Sequence, residues 1–120
     1  MPPSPDSLQS FIPRFRRAKV LVVGDLMLDE FLWGKVSRIS PEAPVPVVWV
    51  QSESFMPGGA ANVVSNICAL GGQVSAAGVI GEDRWGGLLL SELASRRVET
   101  GGVLKTQRPT TVKTRVIAHH

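Results

Sequence analysis

Two sets of residues in this chain have the chemistry that a binding site for a polyhydroxylated molecule needs. Asp29 lies just past an apolar run, Val20–Val23, where its carboxylate can accept hydrogen bonds from two neighbouring hydroxyl groups. Gly58 and Gly59 open a predicted helix whose first turn contains Asn62. Glycine allows close backbone approach, helix N-terminal amides donate to ligand oxygens, and an asparagine amide both donates and accepts. Because α/β proteins hold small ligands at strand ends and helix N-termini, this pattern predicts half of a sugar-binding site.

The hydrophobic pattern predicts the elements that position these residues. Apolar runs of strand length alternate with stretches of helical periodicity, which favours βαβ units, a parallel sheet and the α/β class. The first strand is apolar on both faces, as a central parallel strand is. Gly71 is expected to end the first helix, Asp83 to cap the second, and Gly101 and Gly102 to form a turn. The predicted elements are strands at Lys19–Gly24, Val74–Ile80 and Thr110–Ala118 and helices at Ala60–Leu70 and Arg84–Arg97.

The segment between the first strand and Gly58 has a different composition. A mixed polar and aromatic strand, Leu28–Val36, precedes a loop with three prolines and a short strand, Val47–Val50. Prolines at this density belong to an edge strand or to an excursion from the main sheet. The aromatic side chains of this segment suit an interface with another protein, and packing against the body of the domain explains them equally well.

Composition excludes several other classes of protein. Of the 120 residues, 43% are hydrophobic and 19% are charged, so the chain can form a core. The net charge is +3, but the basic residues are scattered and tyrosine is absent, so no nucleic-acid partner is predicted. No stretch has the roughly 20 apolar residues of a membrane span, and no secretory signal is visible. We therefore predict a cytoplasmic location and no membrane partner.

Several residues with reactive side chains have structural interpretations. Cys68, the only cysteine, falls on the apolar side of a predicted helix and is interpreted as a small buried hydrophobe. His119 and His120 lack partners at the spacing of a metal site, so no metal is predicted. Asp25 and Gly81 are assigned to turns at the ends of strands.

Three motifs, in this order along the chain, resemble one family of sugar kinases. They are Gly24 followed by Asp29, the sequence SRISPEAPVPVV at Ser37–Val48, and Gly58-Gly59 followed by Asn62. Together they resemble the ribokinase-like carbohydrate kinases, also called the phosphofructokinase-B (pfkB) family. Within it, SRISPEAPVPVV resembles the heptose 7-phosphate kinase domain of the bifunctional ADP-heptose synthesis proteins.

The resemblance implies a fold and a site. The fold is a ribokinase-like three-layer α/β/α arrangement with parallel central strands and a small β-sheet lid. Residues 19–120 are expected to form its N-terminal part, with lid segments at about 28–52 and 110–119, and residues 1–18 a tail or short helix. Asp29, Gly58, Gly59 and Asn62 match the family's sugar-binding residues. A phosphorylated sugar also needs basic partners, for which Arg38, Lys113 and Arg115 are candidates.

The resemblance also implies an activity. Such a kinase uses ATP and Mg²⁺ to phosphorylate the anomeric hydroxyl of D-glycero-β-D-manno-heptose 7-phosphate, in the synthesis of ADP-heptose for lipopolysaccharide core. The family's ATP site and catalytic aspartate belong to a Gly-Ala-Gly-Asp motif, and no Gly-x-Gly-Asp occurs in this chain. We therefore expect no catalytic residue, weak ATP binding and no kinase activity from this chain alone. A homodimer through the lid is a further expectation.

Two alternatives to a heptose kinase stay open at this point. The first is a non-catalytic protein, either a remnant of a kinase or an interaction module that acts through the lid. The second keeps the kinase fold but changes the acceptor to fructose, ribose or a nucleoside. The SRISPEAPVPVV sequence argues against the second alternative and does not bear on the first.

Overall fold

A computed structural model describes residues 1–120, which form two three-stranded sheets and two helices of ten or more residues. The elements in chain order are α1 (Pro5–Gln9), a 3₁₀ turn (Ile12–Arg17), β1 (Lys19–Val23), β2 (Leu26–Ile39), β3 (Pro46–Gly59), α2 (Ala60–Ala69), β4 (Gln73–Gly81), α3 (Arg84–Ser95), β5 (Glu99–Thr106) and β6 (Thr111–His119). The alternation of strands and helices predicted from the sequence is therefore confirmed from β1 to α3, whereas β5 lies where no strand was predicted.

The main sheet is parallel and has the strand order β1-β4-β5. One of its faces packs against α2 and α3, and the side chains between them form a single core cluster. Ile80 from the sheet, Val64 from α2 and both Leu89 and Leu93 from α3 are fully buried in it. Burial of this apolar surface is the main stabilising contribution to the fold. The predicted α/β class with parallel strands is confirmed.

The other face of the main sheet is exposed, which differs from the prediction for β1. Leu21 and Val23 retain 64% and 72% of their accessible surface, and Val79 and Leu104 on the neighbouring strands are exposed as well. A strand buried on both faces was expected because β1 is continuously apolar. That expectation is wrong for this chain, because α2 and α3 cover one face only and β1 pairs with β4 alone.

The second sheet, here called the lid, has the strand order β3-β2-β6. Strands β2 and β3 form a long antiparallel hairpin, and β6 lies parallel to β2 on its other side. The hairpin extends over 26–59, beyond the predicted segment 28–52. Its register shifts at Trp33/Gly34 and at Val36/Arg38, so both strands bend before the proline-containing loop.

The glycines that follow α2 and those that follow α3 have different roles in the structure. Gly71 has a φ of 95°, the left-handed region that glycine favours, and it ends α2 as predicted. Gly101 and Gly102 were expected to form a turn but lie within β5. The prediction is wrong because β5 is in irregular register with β4 here, and a Cβ on Gly102 would lie 3.1 Å from the carbonyl oxygen of Ala76. Gly102 therefore allows β5 to approach β4 closely.

The N-terminal segment and Cys68 agree only partly with expectation. Residues 5–17 are helical in two short pieces, but Leu8, Phe11 and Ile12 are exposed rather than packed on the body. A hydrogen bond from Gln73 Nε2 to the carbonyl oxygen of Arg16, 3.0 Å long, joins this segment to β4. Cys68 is half-buried against the core.

A polar network joins the start of α3 to the start of β6. Asp83 caps α3 by accepting a hydrogen bond from the Gly86 amide at 2.8 Å, as predicted. The same carboxylate accepts from the backbone amide and hydroxyl of Thr110, at 2.9 and 2.7 Å. The Thr110 hydroxyl in turn accepts from the buried Gly81 amide at 2.8 Å. This network attaches Thr110, the residue before the lid strand β6, to the body.

We expect Thr110→Val to lower the free energy of unfolding by roughly 1–3 kcal/mol, because it leaves the buried Gly81 amide without an acceptor. Thr111→Val is the matched control, since Thr111 is exposed and its side chain makes no hydrogen bond. Urea unfolding of both variants measures the difference. Equal effects of the two substitutions would contradict the proposed importance of the network.

The acid stability of the chain should depend on Asp83. Its pKa lies below the ordinary value of 3.8, first because the Thr110 amide donates to the ionised carboxylate, and then because the Thr110 hydroxyl and the Gly86 amide do so. A lowered pKa contributes stability that is present above the unfolded-state value, near pH 4, and is lost as the pH falls through the folded-state pKa. Asp83→Asn should therefore be less stable than the parent at pH 7, with a difference that narrows below about pH 4.

Urea midpoints between pH 7 and pH 3 measure this difference. Glu82→Gln is the control, because Glu82 is adjacent and exposed and its side chain forms no hydrogen bond. A constant difference between Asp83→Asn and the parent at all pH values would rule out the assigned cause.

Candidate functional site

The end of β1 and the start of α2 lie against each other, as the sequence predicts. The Ala60 amide donates to the carbonyl oxygen of Asp25 at 2.9 Å, and Leu26 is in register with Gly59. Gly59 is the N-cap of α2 and has a φ of 55°, so no side chain is present there to cap the helix. The first turn of α2 therefore offers backbone amides to a ligand beside the carboxyl end of β1.

Asp29 packs directly on Gly58. The two residues lie on the same face of the β2–β3 hairpin, where Asp29 is in register with Met56 and Gly58 with Met27. A Cβ on Gly58 would lie 2.6 Å from Asp29 Oδ1, which is closer than real Cβ contacts. The absence of a side chain at position 58 is thus what makes room for the carboxylate.

Strand β6 brings a cation to the same carboxylate. Lys113 is in register with Asp29, and its Nζ lies 3.1 Å from Oδ1. At this distance the two groups form an ion pair, in which the ammonium lies against the buried Oδ1. The Asp29 side chain as a whole retains 20% of its surface, so the accessible part of the carboxylate can accept a hydrogen bond from a ligand.

Aromatic and basic groups continue along this face of the lid. Phe31 is the next β2 residue on the face, and the Arg115 guanidinium lies 5.7 Å from the centre of its ring. Trp33 stacks on Phe31 at 6.4 Å. One face of the lid therefore presents Asp29, Lys113 and Arg115 together, beside Gly58.

Two of the predicted site residues form no side-chain hydrogen bond or ion pair with this group. Asn62 is exposed in the first turn of α2 and its side chain makes no hydrogen bond within the chain. Arg38 is nine residues beyond Asp29 on β2, which at about 3.3 Å per residue puts it roughly 30 Å away. A single monosaccharide cannot bridge Asp29 and Arg38 of the same chain.

A small cavity next to the site contains a residue that the sequence analysis missed. About 310 Å³ in volume, it lies at the carboxyl ends of β1 and β4 and is lined by Asp25 and Arg108, among others. The Asp25 side chain forms no hydrogen bond to its own turn, so only its backbone has the predicted turn role. Arg108 comes two residues after β5 of the parallel sheet. Residues that follow the carboxyl ends of such strands often contact ligands, and this position could have identified Arg108 from the sequence.

The chain has no cluster of three or more histidine, cysteine, aspartate or glutamate residues that could hold a metal ion. The carboxylates of Asp25 and Asp29 lie on separate elements of the site, so these residues do not fit a Mg²⁺ site by themselves. No helix is long and apolar enough to cross a membrane.

Comparison with known families identifies the class of protein. The family model for pfkB carbohydrate kinases matches residues 17–120, which include both sheets and both long helices. The chain therefore belongs to the pfkB family of carbohydrate kinases.

Individual relatives agree with this assignment. The chain is 54% identical over 114 residues to the bifunctional protein HldE of Desulfatibacillum aliphaticivorans; the match covers 93% of the chain and 23% of that relative. It resembles the solved structure of fructokinase with bound ATP from Xylella fastidiosa, with 25% identity, a TM-score of 0.63 and coverage of 82% and 29%. Ribokinase from Cryptococcus neoformans var. grubii serotype A in complex with ADP gives 26% identity, a TM-score of 0.58 and coverage of 81% and 30%. The fold is thus ribokinase-like, and the chain spans under a third of each of these proteins.

The contact between Gly58 and Asp29 can be tested by adding a single methyl group. Gly58→Ala should displace the Asp29 carboxylate and lower the free energy of unfolding by about 1–3 kcal/mol, because the site is already filled. Gly87→Ala is the matched control: a Cβ there meets nothing within 4 Å, and alanine in helix α3 should stabilise by about 0.5–1 kcal/mol. Urea unfolding measures both changes. A Gly58→Ala variant as stable as the parent would contradict this contact.

Proposed function

We propose that this chain forms the acceptor-sugar half of a kinase that phosphorylates heptose 7-phosphate at the anomeric hydroxyl. The observation that carries the proposal is the partly accessible Asp29 carboxylate, which lies with Lys113 and Arg115 on one face of the lid. A carboxylate suits the hydroxyls of a sugar, and two cations suit its phosphate. The similarity to HldE and the SRISPEAPVPVV sequence support a heptose rather than fructose, ribose or a nucleoside.

In this proposal, each group at the site has a distinct part. Asp29 accepts hydrogen bonds from two sugar hydroxyls, and the amides of the first turn of α2 that follow Ala60 donate to further sugar oxygens. Asn62 can approach the same sugar from the first turn of α2. Lys113 and Arg115 bind the 7-phosphate and offset its repulsion from Asp29. Arg38 has no part at this site in the same chain, because of its distance along β2.

The reaction itself requires groups that the described residues do not supply. ATP with Mg²⁺ provides the transferable γ-phosphoryl group and neutralises charge on it. An aspartate base of the complete family domain would remove the proton of the anomeric hydroxyl. The contribution of this chain is to bind the acceptor sugar and fix its orientation, which is itself a large part of catalysis.

The distal end of the lid is the proposed contact with a second copy of the chain. Trp49 retains 68% of its accessible surface, and Trp33, Ile39 and Val50 are exposed near it. Large exposed apolar side chains in one region usually mark an interface. The same surface favours the second candidate function, a non-catalytic interaction module. A cytoplasmic location suits the kinase proposal, since ATP is the phosphoryl donor.

A chimeric enzyme tests the kinase proposal. Residues 17–120 replace the matching segment of HldE from Desulfatibacillum aliphaticivorans, and initial rates are measured with each substrate varied. Asp29→Asn should raise the KM for heptose 7-phosphate about ten- to a hundredfold, the cost of losing a charge-assisted hydrogen bond, and leave the KM for ATP unchanged. Lys113→Met should reduce the preference for heptose 7-phosphate over unphosphorylated heptose.

Lys105→Met is the control, because Lys105 is an exposed lysine on β5 that lies outside the site. It should change neither KM. The proposal would be contradicted if Asp29→Asn raised both KM values equally. It would also be contradicted if the chimera were active and Asp29→Asn left the KM for heptose 7-phosphate unchanged.

A further inference from the structure

Glu30 is a buried carboxylate that the proposed reaction does not use. Only 8% of its surface is accessible, and Thr110 is the one other buried polar residue apart from glycines. Glu30 lies on the lid face opposite to Asp29, in register with Phe55, whose ring packs 5.5 Å from that of Trp85 in α3. Burial of a carboxylate costs free energy unless a donor compensates it. The donor is the Thr114 hydroxyl, 2.8 Å from Glu30 Oε1.

The two polar pairs between β2 and β6 occupy consecutive register positions. Asp29 faces Lys113 on the open face of the lid, and Glu30 faces Thr114 on the opposite face, where Glu30 is buried and Thr114 is exposed. Because side chains alternate along a strand, the second pair lies directly behind the first. Whatever fixes Glu30 against Thr114 also fixes which residue of β6 lies beside Asp29.

The sequence of β6 makes its register ambiguous on the open face. Lys113 and Arg115 are two residues apart, so a slip of two positions would bring Arg115 beside Asp29 and keep every side chain on its own face. On the face that carries Glu30 the same slip would bring Val116 opposite Glu30, and the reverse slip would bring Val112 there. Neither valine can donate a hydrogen bond, so Thr114 alone satisfies the buried carboxylate.

The identity of the cation beside Asp29 has a chemical consequence. An arginine fork pairs with both oxygens of a carboxylate, which would leave neither oxygen for a sugar hydroxyl. A lysine ammonium is a point charge, and Lys113 approaches only Oδ1. With Lys113 in this position, Arg115 lies over Phe31 and remains unpaired with any carboxylate.

We infer that Glu30 and Thr114 are positioning residues whose partly buried hydrogen bond sets the β2–β6 register, and so selects Lys113 rather than Arg115 as the neighbour of Asp29. The consequence for sugar binding rests on the proposed function, but the register itself does not. The Asp83–Thr110 network complements this pair: it fixes the start of β6 relative to α3, whereas Glu30 fixes the middle of β6 relative to β2.

NMR of the 120-residue chain tests the register directly. In the parent, cross-strand Overhauser effects should join Asp29 to Lys113 and Phe31 to Arg115. Thr114→Val should add a second set of signals in which Asp29 contacts Arg115, with the ratio of the two registers changed at least about tenfold. Thr114→Ser keeps the hydroxyl and should restore the single register. Thr111→Val, the same change at an exposed threonine of β6 whose hydroxyl is not bonded to Glu30, should leave it intact.

A double variant keeps the test decisive if Thr114→Val does not fold. Glu30→Leu with Thr114→Val removes the buried charge instead of leaving it unpaired, so it should fold and still populate both registers. A folded double variant with the parent's single register would overturn the inference. Failure of the double variant to fold would also overturn it, since the pair would then serve folding rather than register.

Sugar binding separates this inference from the proposed function. In the chimera described above, Thr114→Val should weaken heptose 7-phosphate binding about tenfold and Thr114→Ser should restore it, with the KM for ATP unchanged. If Thr114→Val alters the register but Asp29→Asn has no effect on sugar use, the kinase proposal is refuted and the positioning role of Glu30 and Thr114 is not. An unaltered register together with a strong effect of Asp29→Asn would refute the positioning role alone.

Discussion

The burial of Leu26 and Leu28 at the base of β2 is the constraint on which the lid and its site depend. Both side chains are almost completely inaccessible and belong to the same core as α2, α3 and the parallel sheet. Since a strand alternates its side chains between two faces, this burial directs Asp29 and Phe31 to the opposite, open face. The core therefore orients the binding face of the lid, although that face lies outside the core.

The lid is attached to the body at both of its outer strands as well. On the β3 side, Phe55 packs on Trp85, and Gly58 and Gly59 lead directly into α2. On the β6 side, Thr110 is bonded to the cap of α3. The proximal half of the lid is therefore held against the body, whereas Trp49 in its distal half retains 68% of its accessible surface. The residues proposed to bind the sugar all lie in the proximal half or at the start of α2.

Local signals in the sequence were sufficient to predict most of the helices and strands and part of the candidate site. Apolar periodicity and the cap residues gave α2, α3 and β4 with small errors at their ends, and the position of Asp29 after a strand gave the carboxylate. What the sequence could not give was pairing between distant strands. The register of β6 against β2, the burial of Glu30 and the open face of β1 all depend on which element packs where. Gly101 and Gly102 were misassigned for the same reason, because strand pairing overrode their turn propensity.

The pairing of β6 with β2 also has a consequence for the order of folding. The bond between Glu30 and Thr114 closes a separation of 84 residues, and parallel pairing allows no hairpin to shorten it. Contacts of such long range bear a large loop-closure entropy and form late. The β2–β3 hairpin should form early because its contacts are local. On its own, however, a two-stranded hairpin is only marginally stable in water. The lid should therefore form in two stages. Strand β6, with Lys113 and Arg115, pairs with β2 last, after the helices and the parallel sheet have positioned residue 110.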